Sequence, residues 1–228
     1  MLLKEFYLLS RMRKIKCEKI GGNYMRIVVQ GAGAVGGYFG GKLANKGYDV
    51  TFLVRERRYK QLKERGLKVE SVNGSFALNP NLVTKAENIE NPDVVFIALK
   101  AYHLEGAMND LQTLVQKGAK VIPLLNGVQH LDLLISKFGI ENVLGGICYV
   151  ESTLNEHGDI IQKSKMQDVI IGPLHESQTD IVEKMHTMME AAEINSIATE
   201  MIIEEMWKKY IFLASMSGIT TSMKEPIG

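Results

Sequence analysis

Only two cysteines, Cys17 and Cys148, occur in the 228 residues. Two thiols build no disulfide framework and here show no metal-ligand spacing, so a reducing, cytoplasmic setting is the natural expectation. Proline is scarce, with 5 residues, and glycine, with 21, is far below the one-in-three share of a collagen-like repeat. No apolar run approaches the roughly 18–20 residues that a membrane-spanning helix needs. Neither sign of charge dominates: 27 Lys and Arg against 26 Asp and Glu give a net charge of +1. That balance offers no electrostatic reason to expect nucleic-acid binding. What is present is a 46% hydrophobic, 23% charged chain, which excludes general disorder, and a length suited to one full domain plus something smaller.

The charge is unevenly spread. Residues 1–24 hold six basic and two acidic side chains, leaving 21 basic and 24 acidic in the remainder. Their short apolar stretch is interrupted by Lys4 and Glu5 and lacks both a long apolar core and a small-residue cleavage site, so it does not read as a signal peptide. A disordered leader or an upstream start is expected there, because Met25 directly precedes a clean first strand. A basic amphipathic surface helix is the alternative.

From Met25 onward, short apolar runs alternate with amphipathic stretches. Strands are expected at 26–30, 50–54, 94–97 and 121–125, and helices at 35–46, 59–65, 104–116 and 128–138, with Gly47 and Gly66 as helix stops. Asn73-Gly74 marks a hairpin within 67–78. Further strands follow at 143–150, 160–163 and 169–171, then a helix at 178–192 and a strand at 194–198. A last helix should run from Glu200 through Met216 and stop at Gly218. Strand–helix–strand succession means a parallel sheet with helices on both faces. The expected fold is therefore α/β, a Rossmann-type doubly wound parallel sheet over 25–199, followed by the start of an all-α domain at 200–228.

The strongest motif is Gly31-Ala32-Gly33-Ala34-Val35-Gly36. It follows a buried strand and opens a helix, the context in which GxGxxG binds a dinucleotide. The first glycine permits the tight turn, the second lets the backbone approach a pyrophosphate, and the third lets helix and strand pack closely. An NAD site usually places Asp or Glu about 20 residues further on, for the ribose 2′-OH. This chain places Arg55 there, followed by Glu56, Arg57 and Arg58. A guanidinium pairs with a 2′-phosphate that a carboxylate would repel, so NADP is expected, although Glu56 would suit NAD.

Lys100 closes the run VVFIALK and Asn126 closes VIPLLN. Ligands of open parallel sheets sit at the carboxyl ends of strands, so both side chains are candidates to hold the cofactor or a substrate oxyanion. Asn126 could equally cap the helix that follows.

GxGxxG with the following Arg, then LKAY, LLNGVQ and EMWKKY, resembles the ketopantoate reductase (2-dehydropantoate 2-reductase) family from Met25 to Gly228. The resemblance implies an N-terminal Rossmann domain that binds NADPH and a helical C-terminal domain that closes over a 2-oxo acid. By motif, the general-acid lysine falls on Lys209, after Trp207 and Lys208. Lys100 falls on a cofactor-contacting lysine, and Asn126 on an asparagine that contacts substrate and cofactor. The family's asparagines four and eight positions after the catalytic lysine are here Leu213 and Ser217, of which Ser217 stays a substrate-binding candidate. A third, within a Pro-Asn-Gly tripeptide, would fall on Ile227. The sequence also stops where the family would continue into a helical bundle, so a truncated helical domain is expected. Its exposed apolar side chains (Ile211, Phe212, Leu213, Met216) predict self-association. A non-catalytic NADP-binding module is the competing reading. A dehydrogenase of phosphorylated substrates would want a basic phosphate pocket, which nothing after residue 150 supplies clearly.

Overall fold

The computed structural model describes residues 25–225; the expected leader at 1–24 and the Pro226-Ile227-Gly228 tripeptide lie outside the described residues. In chain order the strands are β1 (Arg26–Gln30), β2 (Asp49–Leu53), β3 (Leu67–Ser71), β4 (Phe76–Leu78), β5 (Asn81–Val83), β6 (Val94–Ile97), β7 (Lys120–Pro123), β8 (Gly145–Leu154), β9 (Ile160–Gly172) and β10 (Asn195–Ala198). The helices are α1 (Ala34–Lys46), α2 (Glu56–Arg65), α3 (Met108–Gln116), α4 (Gln129–Phe138), α5 (Thr179–Ala191) and α6 (Ile202–Met223).

Five strands form a wholly parallel sheet in the order β5-β2-β1-β6-β7. Its central strands are continuous apolar runs because both faces are covered. On one face Val28, Val95, Ile97 and Val121 meet Leu111 and Leu114 of α3, Leu131, Leu134 and Phe138 of α4, and Ile202 and Met206 of α6. On the other, Val29, Phe52 and Phe96 meet Phe39 and Leu43 of α1 and Leu62 of α2. The same cluster continues through α1 to Leu67, Ile160 and Val169 of a second sheet, backed by Met185 and Met189 of α5.

That second sheet has the order β10-β9-β3-β4, with β8 antiparallel to β9. The hairpin expected around Asn73-Gly74 is its β3–β4 edge, pairing Leu67 with Leu78 and Val69 with Phe76. The two pieces expected at 160–163 and 169–171 are one strand. Gln162, within the first piece, and Gln167, between the two, occupy inward positions and break the apolar alternation. Gln167 Oε1 accepts hydrogen bonds from the Tyr38 hydroxyl at 2.7 Å and the Lys42 ammonium at 2.9 Å, so a polar side chain is tolerated inside. β5, with three residues before Thr84, is too short to show a period and was not expected.

The sandwiched helix explains a glycine-rich stretch. A Cβ on Gly40 would stand 2.7 Å from Val29 Cγ2 and 2.9 Å from Phe52 on the parallel sheet. One on Gly37 would stand 2.5 Å from Ile160 Cδ1, and one on Gly41 3.0 Å from Leu67 Cδ2, both on the second sheet. Side chains have no room on either side.

The last helix does not stop at Gly218 but runs to Met223, ending at Lys224 with φ 56. A glycine in a helix costs about 1 kcal/mol relative to alanine, yet it terminates one only in a left-handed conformation, which Gly218 does not adopt. Thr220 Oγ1 bonds the Met216 carbonyl across it at 2.9 Å. Only Ile202, Met206 and Lys209 of α6 are buried; Ile211 and Phe212 are exposed, whereas Leu213 and Met216 are half-buried. Among the described residues no helix is long and apolar enough to cross a membrane.

Candidate functional site

Between β1 and α1 the chain turns through Gly31, whose φ of +100° suits glycine and few other residues. Gly33 precedes α1 with no side chain capping the helix and no acid in its first turn. The N–H groups of Ala34, Val35 and Gly36 therefore lack intrahelical partners, and the dipole favours an anion there. A Cβ on Gly33 would meet nothing within 4 Å, whereas one on Gly36 would overlap the Gly31 carbonyl and stand 2.7 Å from Ala98 Cβ. The three motif glycines thus serve a turn, an open approach and a close packing, as the spacing implies.

A cavity of about 380 Å³ opens on this turn. Gly31, Ala32, Gly33 and Arg55 line it, together with Arg58, Thr84, Leu99, His103 and Asp110, which the sequence did not single out. Arg55 is the exposed residue before α2 and its side chain caps nothing. Arg58, one turn later, is half-buried and bonded to the glycine turn. The site fits the diphosphate and adenosine part of a dinucleotide: free backbone donors, room above Gly33, and two guanidiniums.

Lys100 and Asn126 each lie three residues beyond their strands, β6 and β7, and are exposed outside this cavity's lining. Asn126 is not a helix cap, because α4 begins after Val128 with no side-chain cap. Lys209 is the buried member of Trp207-Lys208-Lys209. It is 6% exposed, while Trp207 is 49% exposed and rests edge-on against Tyr210. Its ammonium donates to the Cys148 carbonyl at 2.6 Å and sits 5.1 Å from the centre of the Tyr149 ring. Burial lowers its pKa, partly countered by the Cys148 sulfur. Lys208, by contrast, is a surface residue held by Glu204 and Glu205 at 2.9 Å each. Cys148 Sγ reaches the Leu124 carbonyl at 3.9 Å, so Cys148 stands between Lys209 and the segment that leads from β7 to Asn126. Ser217, two turns further along α6, is exposed.

A match to the family model described as Ketopantoate reductase PanE/ApbA covers residues 27–176. The chain belongs to this family. It is 38% identical over 204 residues to Uncharacterized oxidoreductase YkpB of Bacillus subtilis (strain 168), covering 90% of this chain and 67% of that protein. The crystal structure of 2-dehydropantoate 2-reductase from Geobacter metallireducens GS-15 superposes with a TM-score of 0.81 at 29% identity, over 89% of this chain and 67% of that one. A complex of D-mandelate dehydrogenase with NADH superposes at 0.75 and 25% identity, over 88% and 64%. The chain thus spans about two thirds of the length of these proteins.

One further group stands near Lys209, and no sequence signal marked it. His130, in the first turn of α4, is buried with its Nε2 unpartnered. Burial, and secondarily the Lys209 charge, lower its pKa from 6.5 to about 4. Since the unfolded chain takes up this proton first, His130 contributes stability above pH 6.5 that is withdrawn as pH falls toward 4. Between pH 7 and 5 the loss is about 2 kcal/mol. Denaturant titrations at the two pH values should show His130→Leu losing less stability than the unmodified protein by that amount. An identical acid response in the two proteins would contradict a buried neutral imidazole.

Proposed function

We propose that the protein is an NADPH-dependent reductase of 2-oxo acids to 2-hydroxy acids, with 2-dehydropantoate to pantoate, a step of pantothenate biosynthesis, as its first candidate reaction. The observation that carries this reading is the buried Lys209 ammonium fixed on the Cys148 carbonyl beside the segment leading to Asn126. When bound, the nicotinamide dinucleotide supplies the hydride. Lys209 then protonates the developing alkoxide. One of its N–H groups is committed to Cys148, which aims the rest, and a pKa lowered by burial eases proton release. Asn126 orients the carbonyl or the cofactor, Lys100 brings a second positive charge to a carboxylate, and Ser217 serves the substrate. Backbone from Gly31 to Gly36 holds the diphosphate. Relatives named 2-dehydropantoate 2-reductase support the substrate class.

Leu213 and Ser217 at the family's asparagine positions favour a second reading, a dinucleotide-binding module without turnover. NADPH oxidation followed with 2-dehydropantoate and a panel of other 2-oxo acids separates the two. Turnover on any of them supports the reductase; tight NADPH binding with no turnover on all of them selects the module.

Cofactor choice is tested at Arg55. A charge-assisted contact to the 2′-phosphate contributes roughly 1.5–3 kcal/mol, so Arg55→Asp should weaken NADPH binding at least about tenfold and leave NADH little changed. Equal affinity of the unmodified protein for both cofactors would refute the preference for NADP.

A further inference from the structure

In a trans peptide the carbonyl and the following N–H point to opposite edges of one plane. In the unit that joins Ala32 to Gly33 the carbonyl edge is taken, because Arg58 Nε donates to it at 2.9 Å. The other edge carries the Gly33 N–H, which has no partner among the described residues. Gly33 lines the cavity, with nothing within 4 Å of the place where a Cβ would stand. The unit is also one that turns over easily. Rotating it by about half a turn would carry Gly33 from its φ of −81° to a positive value, which glycine accepts without strain.

Arg58 is itself held from behind. Its Nη1 donates to the Gly158 carbonyl at 2.9 Å and to Gln61 Oε1 at 2.6 Å, and Gln61 donates to the His157 carbonyl at 2.7 Å. Both carbonyls belong to the turn joining β8 to β9. Asn155 stiffens that turn by accepting from the His157 and Asp159 N–H groups at 3.0 and 2.9 Å. Nη2 is buried and has no partner, so the guanidinium has no donor to give to the cavity. Its effect on a ligand must pass through the Ala32 carbonyl.

We infer that Arg58 is a positioning residue for the diphosphate: by fixing the Ala32 carbonyl it keeps the Gly33 N–H turned to the cavity, with the β8–β9 turn as its brace. This deepens the reading of the glycine turn as a dinucleotide site and rests on it. A flipped unit would present the Ala32 carbonyl oxygen to the anion, replacing an attraction with a repulsion. The diphosphate is common to NADPH and NADH. Arg58 therefore serves both cofactors equally, whereas Arg55 chooses between them.

The test joins calorimetric titration with NADPH and with NADH to amide relaxation dispersion of the ligand-free protein, for the unmodified chain, Arg58→Met and Gly158→Ala. Methionine keeps an apolar stem but has no donor. Arg58→Met should weaken NADPH and NADH by the same factor, at least about tenfold. Its Gly33 amide and the adjacent ones should show microsecond-to-millisecond exchange that the unmodified protein lacks. Gly158→Ala leaves the glycine turn intact, but its Cβ would stand 2.6 Å from Arg58 Nη1. It should give both effects in smaller degree, and it carries the test if Arg58→Met does not fold. A loss for NADPH alone would overturn the inference, since the arginine would then read the 2′-phosphate. Unchanged affinity, a static Gly33, or exchange spread through the whole chain would overturn it as well, the last marking a purely structural role. If the unmodified protein binds neither cofactor, the dinucleotide reading itself fails, while the Gly33 amide still reports whether Arg58 holds the peptide.

Discussion

Lys209→Ala is expected to lower turnover by roughly 10²–10⁴-fold, the range of a lost general acid, with NADPH affinity unchanged. The side chain is buried, and its ammonium already donates to the Cys148 carbonyl. Truncation therefore leaves a buried carbonyl unsatisfied as well as removing the proton. Single-turnover measurement at saturating substrate, with a denaturation curve for each variant, separates the chemical loss from any loss of fold. Lys208→Ala is the control. It lies about 100° around the helix, is paired with Glu204 and Glu205 on the surface, and should be nearly silent. Because burial lowers the Lys209 pKa, the basic limb of the pH–rate profile should fall below the range of an exposed lysine. Full activity in Lys209→Ala, or a collapse confined to Lys208→Ala, would refute the assignment.

Gly36→Val should be the most damaging substitution to the fold near the cofactor site. Even a single Cβ there overlaps the Gly31 carbonyl and presses on Ala98 and Val29. The obstruction is backbone, which cannot move aside as a flexible side chain would. A destabilisation of about 3 kcal/mol or more is expected, read as a lower denaturant midpoint with unchanged slope. Dinucleotide binding should be lost with it, because Gly31 is the turn being displaced. Gly33→Ala is the contrasting case. Its Cβ meets nothing within 4 Å, so stability should hold while affinity falls, since the space it enters is the one a diphosphate needs.

Four of the five strands of the parallel sheet were legible because they are apolar runs and the turns between them carry glycines at fixed offsets, whereas β5 is too short to show a period. The second sheet was legible only in fragments. Gln162 and Gln167 sit inside it, satisfied by partners distant in sequence, such as Tyr38 and Lys42. Polar burial of that kind erases the period-two pattern locally, and no spacing rule restores it. Gly218 misled because a glycine marks a helix end only when the backbone turns left-handed, which composition cannot tell. In the site, the glycine motif and its spacing marked Gly31, Gly33 and Arg55, which line the cavity, while Lys209 was marked by the family resemblance alone. Neither revealed that Arg58 is the arginine turned inward, since Arg55, Arg57 and Arg58 look alike until the helix phase and the Ala32 carbonyl are in place. His130 carried no signal at all, because its significance comes from burial beside Lys209.

The four glycines of α1 also bear on how separable the nucleotide site is from the rest of the molecule. Each glycine lowers helix propensity by about 1 kcal/mol relative to alanine, so by about 4 kcal/mol together this segment resists being helical on its own. It becomes a helix by being clamped, with Val29 and Phe52 on one side and Leu67, Phe76 and Ile160 on the other. The second wall is contributed by chain that follows the glycine motif by as much as 124 residues, from Gly36 to Ile160. The turn and first helix are therefore no transplantable cassette: grafted onto a foreign sheet with only the first wall, the segment would lack the partner that makes it helical. Any drift in the second sheet must be matched by α1, which couples the sequence freedom of the two regions.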